Sequence, residues 1–89
     1  MSEETIIEKF QARLEADYRQ LAVTTDERFL YSSAAHILSD NKASSTVYVS
    51  RRLGMNCQQT RKHLRRMEKM GYVQADSNGF NNIYWSLKP

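Results

Sequence analysis

The chain has 89 residues, 40% of them hydrophobic and 26% charged, with a net charge of +3; that is the composition of one ordinary globular domain with room for a single core. No apolar run approaches the roughly 18 residues of a membrane helix, and the acidic, amphipathic start MSEETIIEKF does not read as a secretory signal. One cysteine excludes an internal disulfide framework and suits a reducing cytoplasm, and with only His36 and His63 beside it there is no metal-ligand spacing, so neither a metal nor a cofactor is expected.

The first expected element is a helix over residues 3–22. Ile6 or Ile7, Phe10, Leu14, Tyr18 and Leu21 recur at steps of three and four, which makes one apolar stripe. Ser2 or Thr5 is the cap candidate, and Glu3 and Glu4 suit the positive end of the helix dipole. The stripe either lies back on the domain's own core or forms a contact between two copies; the dimer contact is favoured, because a small domain of this kind does not need a further five-turn helix. Thr24 and Glu27 then form a capping box that opens a second helix running to about Ser39, with Phe29, Leu30, Ala34, Ile37 and Leu38 expected to face inward. His36 lies beside that stripe and receives no role. Residues Asp40 to Ser44 read as a polar loop, and Ser44 or Ser45 caps the next helix.

The stretch from Ser45 to Val73, STVYVSRRLGMNCQQTRKHLRRMEKMGYV, organises the rest. A short helix over about Thr46 to Leu53 reaches Gly54, which can adopt a left-handed backbone without a Cβ penalty. Asn56 is a strong N-cap, with Gln59 three residues later, and a second helix runs from Cys57 to about Met70 before Gly71 stops it. This is a helix-turn-helix. Thr60, Leu64 and Met67 form the apolar face of the second helix, and Val49, Leu53 and Met55 can pack on it. The opposite face carries Gln58, Gln59, Arg61, Lys62, Arg65, Arg66 and Lys69. Between Arg51 and Lys69 there are seven bases and one acid, Glu68. A merely solvated face normally mixes signs, so the excess points to nucleic acid.

The charge is also divided along the chain. Residues 1–43 hold five bases and eight acids, giving −3, whereas residues 44–89 hold eight bases and two acids, giving +6. One basic end facing phosphates and one acidic end held away from them fits this division. After Gly71 the pattern changes to strand: Tyr72–Ala75, then turn chemistry at Asp76-Ser77-Asn78-Gly79, then a return over Asn81–Leu87 in which Ile83, Trp85 and Leu87 alternate with Tyr84 and Ser86. A hairpin directly after such a helix is a wing. The expected fold is therefore α+β and mainly α: a winged helix-turn-helix, three helices plus a β-hairpin wing, with an extra N-terminal helix. One domain spans 1–89, with 1–23 as the leading helix and candidate dimerisation element and 24–89 as the winged-helix core.

In helix-turn-helix proteins the N-terminal part of the second helix meets base edges in the major groove. Here Gln58, Gln59 and Lys62, then Arg61 and Arg65, are the base-reading candidates, because glutamine can pair with adenine N6/N7 and arginine or lysine with guanine O6/N7. Arg51, Arg52, Arg66 and Lys69 are phosphate candidates. Tyr48 and Ser50 can add neutral bonds, unless Ser50 is a small buried residue between the helices. The wing, 76–82, with Asn78, Gly79, Phe80, Asn81 and Asn82 at its tip, would lie near the backbone or minor groove; Phe80 is expected to fold back onto the sheet. Cys57 at the start of the helix is a candidate redox group or a small tolerated residue. No Ser-His-Asp pattern, phosphate-binding glycine loop or HExxH is present, so catalysis is not expected.

The run LGMNCQQTRKHLRRMEKMGYV followed by a hairpin resembles the winged helix-turn-helix regulators of bacteria and their phages. The segment QTRKHLRRMEKMGYVQ with the ending NNIYWSLKP is similar to the small fimbrial phase-variation regulators, over about Val47 to Lys88. Those regulators are shorter than this chain, without a long acidic leading helix, and act as small DNA-binding partners of a larger global regulator. The resemblance implies a nucleoid-associated, cytoplasmic transcriptional regulator with double-stranded DNA and a larger regulatory protein as partners. Two alternatives stand beside it: a winged-helix protein-interaction module, and a phage or plasmid DNA-binding factor acting in replication, partition or recombination.

Overall fold

A computed structural model of the chain describes residues 3–40, 43–77 and 83–88. Its elements are α1 (Glu3–Arg19), α2 (Thr25–Asp40), β1 (Ser44–Ser45), α3 (Thr46–Leu53), α4 (Cys57–Lys69), β2 (Val73–Ser77) and β3 (Ile83–Leu87). Helix α2 packs on α1 and α3, and α3 packs on α4. The strands form a small antiparallel sheet in the order β1-β3-β2, with Ser44 opposite Trp85 and Ala75 opposite the same tryptophan from the other side.

The helix boundaries have local causes. The capping box of α2 forms as the spacing predicts: the Thr24 N–H donates to Glu27 Oε1 at 2.8 Å, and the Glu27 N–H donates to Thr24 Oγ1 at 3.1 Å. Ser45 caps α3 by accepting from the Tyr48 N–H at 3.1 Å, and Asn56 caps α4 by accepting from the Gln59 N–H at 2.8 Å. Gly54 at φ 72 and Gly71 at φ 84 close α3 and α4 in the left-handed region. Each closure is reinforced by a pair of backbone bonds back into the last turn, such as Tyr72 N–H to Met67 O at 2.9 Å. The end of α1 uses the same bonding, Ala22 N–H to Asp17 O at 2.9 Å, but there the left-handed residue is Leu21 at φ 61.

That ending corrects the expected extent of α1. The helix stops at Arg19, and Leu21, expected as the last member of its apolar stripe, lies in the turn and is 89% exposed. The rest of the stripe turns inward. Phe10 and Leu14 are buried, with Ile7 and Tyr18 packed beside them, and the Phe10 ring lies 5.1 Å from that of Tyr72. The apolar face of α1 is thus part of the chain's own core, not a surface free to bind a second copy. A polar seam holds α1 to α2: Arg28 pairs with Glu15 at 2.7 Å and lies over the Tyr18 ring, and Gln11 donates to Ser32 at 3.0 Å.

Two further expectations change. On α2 the buried positions are Tyr31, Ala34, Ala35 and Leu38, while Phe29 is 67% exposed. Two residues before Tyr31 on a helix of 3.6 residues per turn, Phe29 falls on nearly the opposite side. The expected loop before α3 contains a strand, because Ser44 and Ser45 pair with β3. This pairing packs the start of α3 against Trp85, which is fully buried and donates its indole N–H to Thr46 Oγ1 at 2.8 Å. Asp76 and Ser77, expected as turn residues, extend β2 and oppose Tyr84 and Ile83. The wing-tip residues Asn78, Gly79, Phe80, Asn81 and Asn82 lie outside the described residues.

Candidate nucleic-acid interface

The candidate interface is built on α4, whose two faces are separated as the sequence implies. Thr60, Leu64 and Met67 are buried, and the Thr60 hydroxyl satisfies itself locally by donating to Asn56 O at 2.9 Å. Gln58, Gln59, Arg61, Lys62, Arg65, Arg66 and Lys69 are all exposed. Core packing fixes the rotation of the helix, so this basic, amide-rich face is held outward by burial of the other.

The residues on this face are not equivalent. Arg65 is held at both ends: its guanidinium pairs with Glu68 at 3.0 Å and lies 5.2 Å from the centroid of the Trp85 ring. It therefore links α4 to the sheet. Arg66 is tied to α2, with Nε at 2.7 Å from Glu27 Oε2 and Nη2 donating to Ala22 O at 3.2 Å. Glu27 was not among the sequence-derived site residues, yet it joins three structures at once. It caps α2, accepts from the buried Tyr31 hydroxyl at 3.1 Å, and neutralises Arg66. Burial pushes the Glu27 carboxyl up, but the Thr24 amide, the Tyr31 hydroxyl and Arg66 outweigh it and hold the carboxyl below its ordinary value. Burial, followed by the nearby Glu27 carboxylate, raises the Tyr31 phenol to about 12. The i, i+3 spacing of Thr24 and Glu27 identified the cap; nothing in the sequence identifies the reach across 39 positions to Arg66.

On α3, Tyr48 is 40% exposed. Ser50 is 3% exposed, which corrects its expected role as a phosphate contact. Its hydroxyl donates to Val47 O at 2.7 Å and lies 3.4 Å from Cys57 Sγ, at the junction of α3 and α4. The small buried residue is the outcome that the structure selects. Cys57 is half-buried with a free thiol against that hydroxyl. Arg51 and Arg52 are exposed, and with Leu53 they border a groove shared with Ser33, His36 and Ile37 of α2. The structure thus leaves Gln58, Gln59, Arg61, Lys62 and Lys69 exposed along α4, while Arg65 reaches to the sheet and Arg66 to α2. Among the described residues no group of three His, Cys, Asp or Glu side chains could hold a metal ion, and no helix is long and apolar enough to cross a membrane.

The arrangement of helices and sheet is that of a winged helix. It matches the Zα domain of PKZ from Carassius auratus, solved in complex with Z-DNA, with a TM-score of 0.63 and 19% identity over 71% of this chain and 98% of that one. It also matches a cysteine-to-serine mutant of MarR from E. coli, with a TM-score of 0.58 and 15% identity over 96% of this chain and 61% of that one. At these identities the likeness establishes the fold. No protein-family model matches the chain, and no curated protein sequence matches it.

Proposed function

We propose that this chain is a sequence-specific, double-stranded DNA-binding transcriptional regulator that reads DNA with α4. The observation that carries this function is the outward face of α4: five exposed cations and two exposed amides on a helix whose other face is locked into the core. Gln58, Gln59, Arg61 and Lys62 occupy the N-terminal half, the part that meets base edges in this class of fold. Lys69 and the α3 arginines flank it as phosphate contacts, and Arg65 and Arg66 join them where their tethers to Glu68 and Glu27 yield. The wing lies beside the backbone or minor groove. The neighbour solved on Z-DNA supports nucleic acid as the ligand and makes duplex form, as well as sequence, a variable to test.

Binding as a homodimer to a two-fold site would raise the limited affinity of one small module. Because the stripe of α1 is buried, such a dimer would use other surfaces, the outer face of α1 among them. A larger regulatory protein as second partner follows from the resemblance at the C-terminal half.

Lys62→Ala and Gln58→Ala test the assignment. Each should relax base preference at one position, by about 1–3 kcal/mol for a lost bidentate pair. Arg51→Ala should weaken all duplexes alike and lower the salt slope by about one unit. Unchanged base preference in both α4 variants would remove α4 as the reading helix.

A further inference from the structure

The three residues between α4 and β2, Met70, Gly71 and Tyr72, are held from a distance by α1. Arg13 Nη1 donates to Gly71 O at 3.0 Å, and Nη2 donates to Met70 O. The same guanidinium lies 5.0 Å from the centre of the Tyr72 ring. The other side of the tyrosine is also engaged by α1: its hydroxyl donates to Asp17, and its ring meets Phe10. Tyr72 is in turn where helix and wing meet. Its N–H closes α4 on Met67 O, and its carbonyl accepts from the Lys88 N–H at 3.1 Å, at the end of β3.

Apolar packing of Phe10 and Leu14 and the polar seam to α2 already hold α1 on the core. Arg13 and Asp17 do something narrower. Gly71, at φ 84, is the one residue of the junction without a side chain to restrict its rotation. Arg13 fixes the carbonyls on both sides of the Met70–Gly71 link, and a cation there also suits the negative end of the α4 dipole. The fit is close: a Cβ on Gly71 would come within 3.1 Å of the Arg13 guanidinium.

We infer that α1 sets the angle between α4 and the wing, with Arg13 and Asp17 as its positioning residues. The inference rests on the proposed DNA reading only for its consequence, which is that helix and wing meet one duplex in a fixed relation. Separating them should reduce discrimination between duplexes more than it reduces general attraction to phosphate.

The test compares Arg13→Gln, Arg13→Lys and Asp17→Asn with Leu14→Val, which weakens the packing of α1 and keeps the Arg13 and Asp17 side chains. For each full-length variant, affinity is measured for a selected duplex and for an unrelated one. Arg13→Gln should lower the ratio of the two about fivefold to tenfold, with Asp17→Asn changing it in the same direction. Arg13→Lys should recover part of the loss, and Leu14→Val should leave the ratio unchanged. An unchanged ratio in Arg13→Gln, or a loss matched by Leu14→Val, would overturn the inference. Residual dipolar couplings of the free protein give an independent readout. If the wild type binds no duplex, the DNA reading fails, and these couplings decide: β2 and β3 reoriented against α4 in Arg13→Gln would support the positioning role, and an unaltered angle would overturn it.

Discussion

Glu27→Ala should destabilise the chain and strengthen its general attraction to DNA at the same time. The stability cost has three parts. Loss of the Glu27 half of the capping box costs about 0.5–1 kcal/mol, since the backbone N–H of residue 27 still donates to Thr24 Oγ1. Leaving the hydroxyl of fully buried Tyr31 without its acceptor costs about 1–2 kcal/mol. The ion pair with Arg66 contributes less than about 1 kcal/mol, because the Arg66 side chain is 49% exposed and solvent screens it. The total is roughly 3 kcal/mol, a large part of the stability of a domain this size, and it would appear as a lower urea midpoint with an unchanged slope. Glu27→Gln keeps one acceptor oxygen, for the Thr24 amide, and loses the one that Tyr31 and Arg66 use, so it should cost about 1–2 kcal/mol. The native carboxyl lies below its ordinary value of 4.5, so its contribution is present above that pH and is lost as pH falls through the lowered value. Glu27→Gln should lack this acid-side loss. Both variants release Arg66 from its ion pair and leave only its bond to Ala22 O, and the salt slope of binding should steepen by about 0.9 for one added phosphate contact. A urea midpoint unchanged in Glu27→Ala, or an unaltered salt slope in both, would refute the role given to Glu27.

Leu21→Gly should stabilise the fold. A leucine in the left-handed region costs about 1–2 kcal/mol and glycine's extra chain entropy about 0.5–1 kcal/mol, so a net gain of about 0.5–1 kcal/mol is expected. The side chain is 89% exposed and little packing is lost; a lower melting temperature would contradict this. Trp85→Phe removes the indole N–H bond to Thr46 and leaves a smaller ring under Arg65, and should cost about 2–4 kcal/mol in chemical denaturation. A double-mutant cycle of Trp85→Leu with Arg65→Ala isolates the ring–guanidinium share, at about 0.5–1 kcal/mol; zero coupling would remove the link between α4 and the sheet. Alkali should unfold the chain from the tyrosines. Tyr31 is raised to about 12, and Tyr72 is raised by burial and by Asp17, so the unfolded chain ionises first. Stability should hold up to pH 10, the ordinary tyrosine value, and fall as pH rises towards 12. Phenolate absorbance at all five tyrosines appearing before any loss of helix would contradict this.

Much of the fold was legible because its signals are local. Asn56 and Gln59, Thr24 and Glu27, and the glycines at 54 and 71 act within one turn of chain, and each set the boundary that its chemistry implies. The outward face of α4 was legible because its buried complement repeats at helical spacing. The parts that were not legible depend on distance. Ser44 and Ser45 are too short a run to show a strand period, and they become one only because β3 lies alongside. Phe29 reads as core because it is large and apolar, but the smaller Ala34 and Ala35 sit on the face that packs. The constraint on Arg66 and the contacts of Arg13 link positions far apart in the chain, and no spacing rule announces them. Ser50 shows the same limit: its exposure depends on how closely α3 approaches α4.

The most direct measurement is selection of bound duplexes from a random DNA library by the full chain at two salt concentrations, with a left-handed alternating duplex assayed beside the winners. Reading by α4 predicts an enriched motif that survives the higher salt, with preference at the positions lost in Lys62→Ala and Gln58→Ala. Binding that is absent at low salt, or that shows no motif at either concentration, would contradict sequence-specific reading by α4.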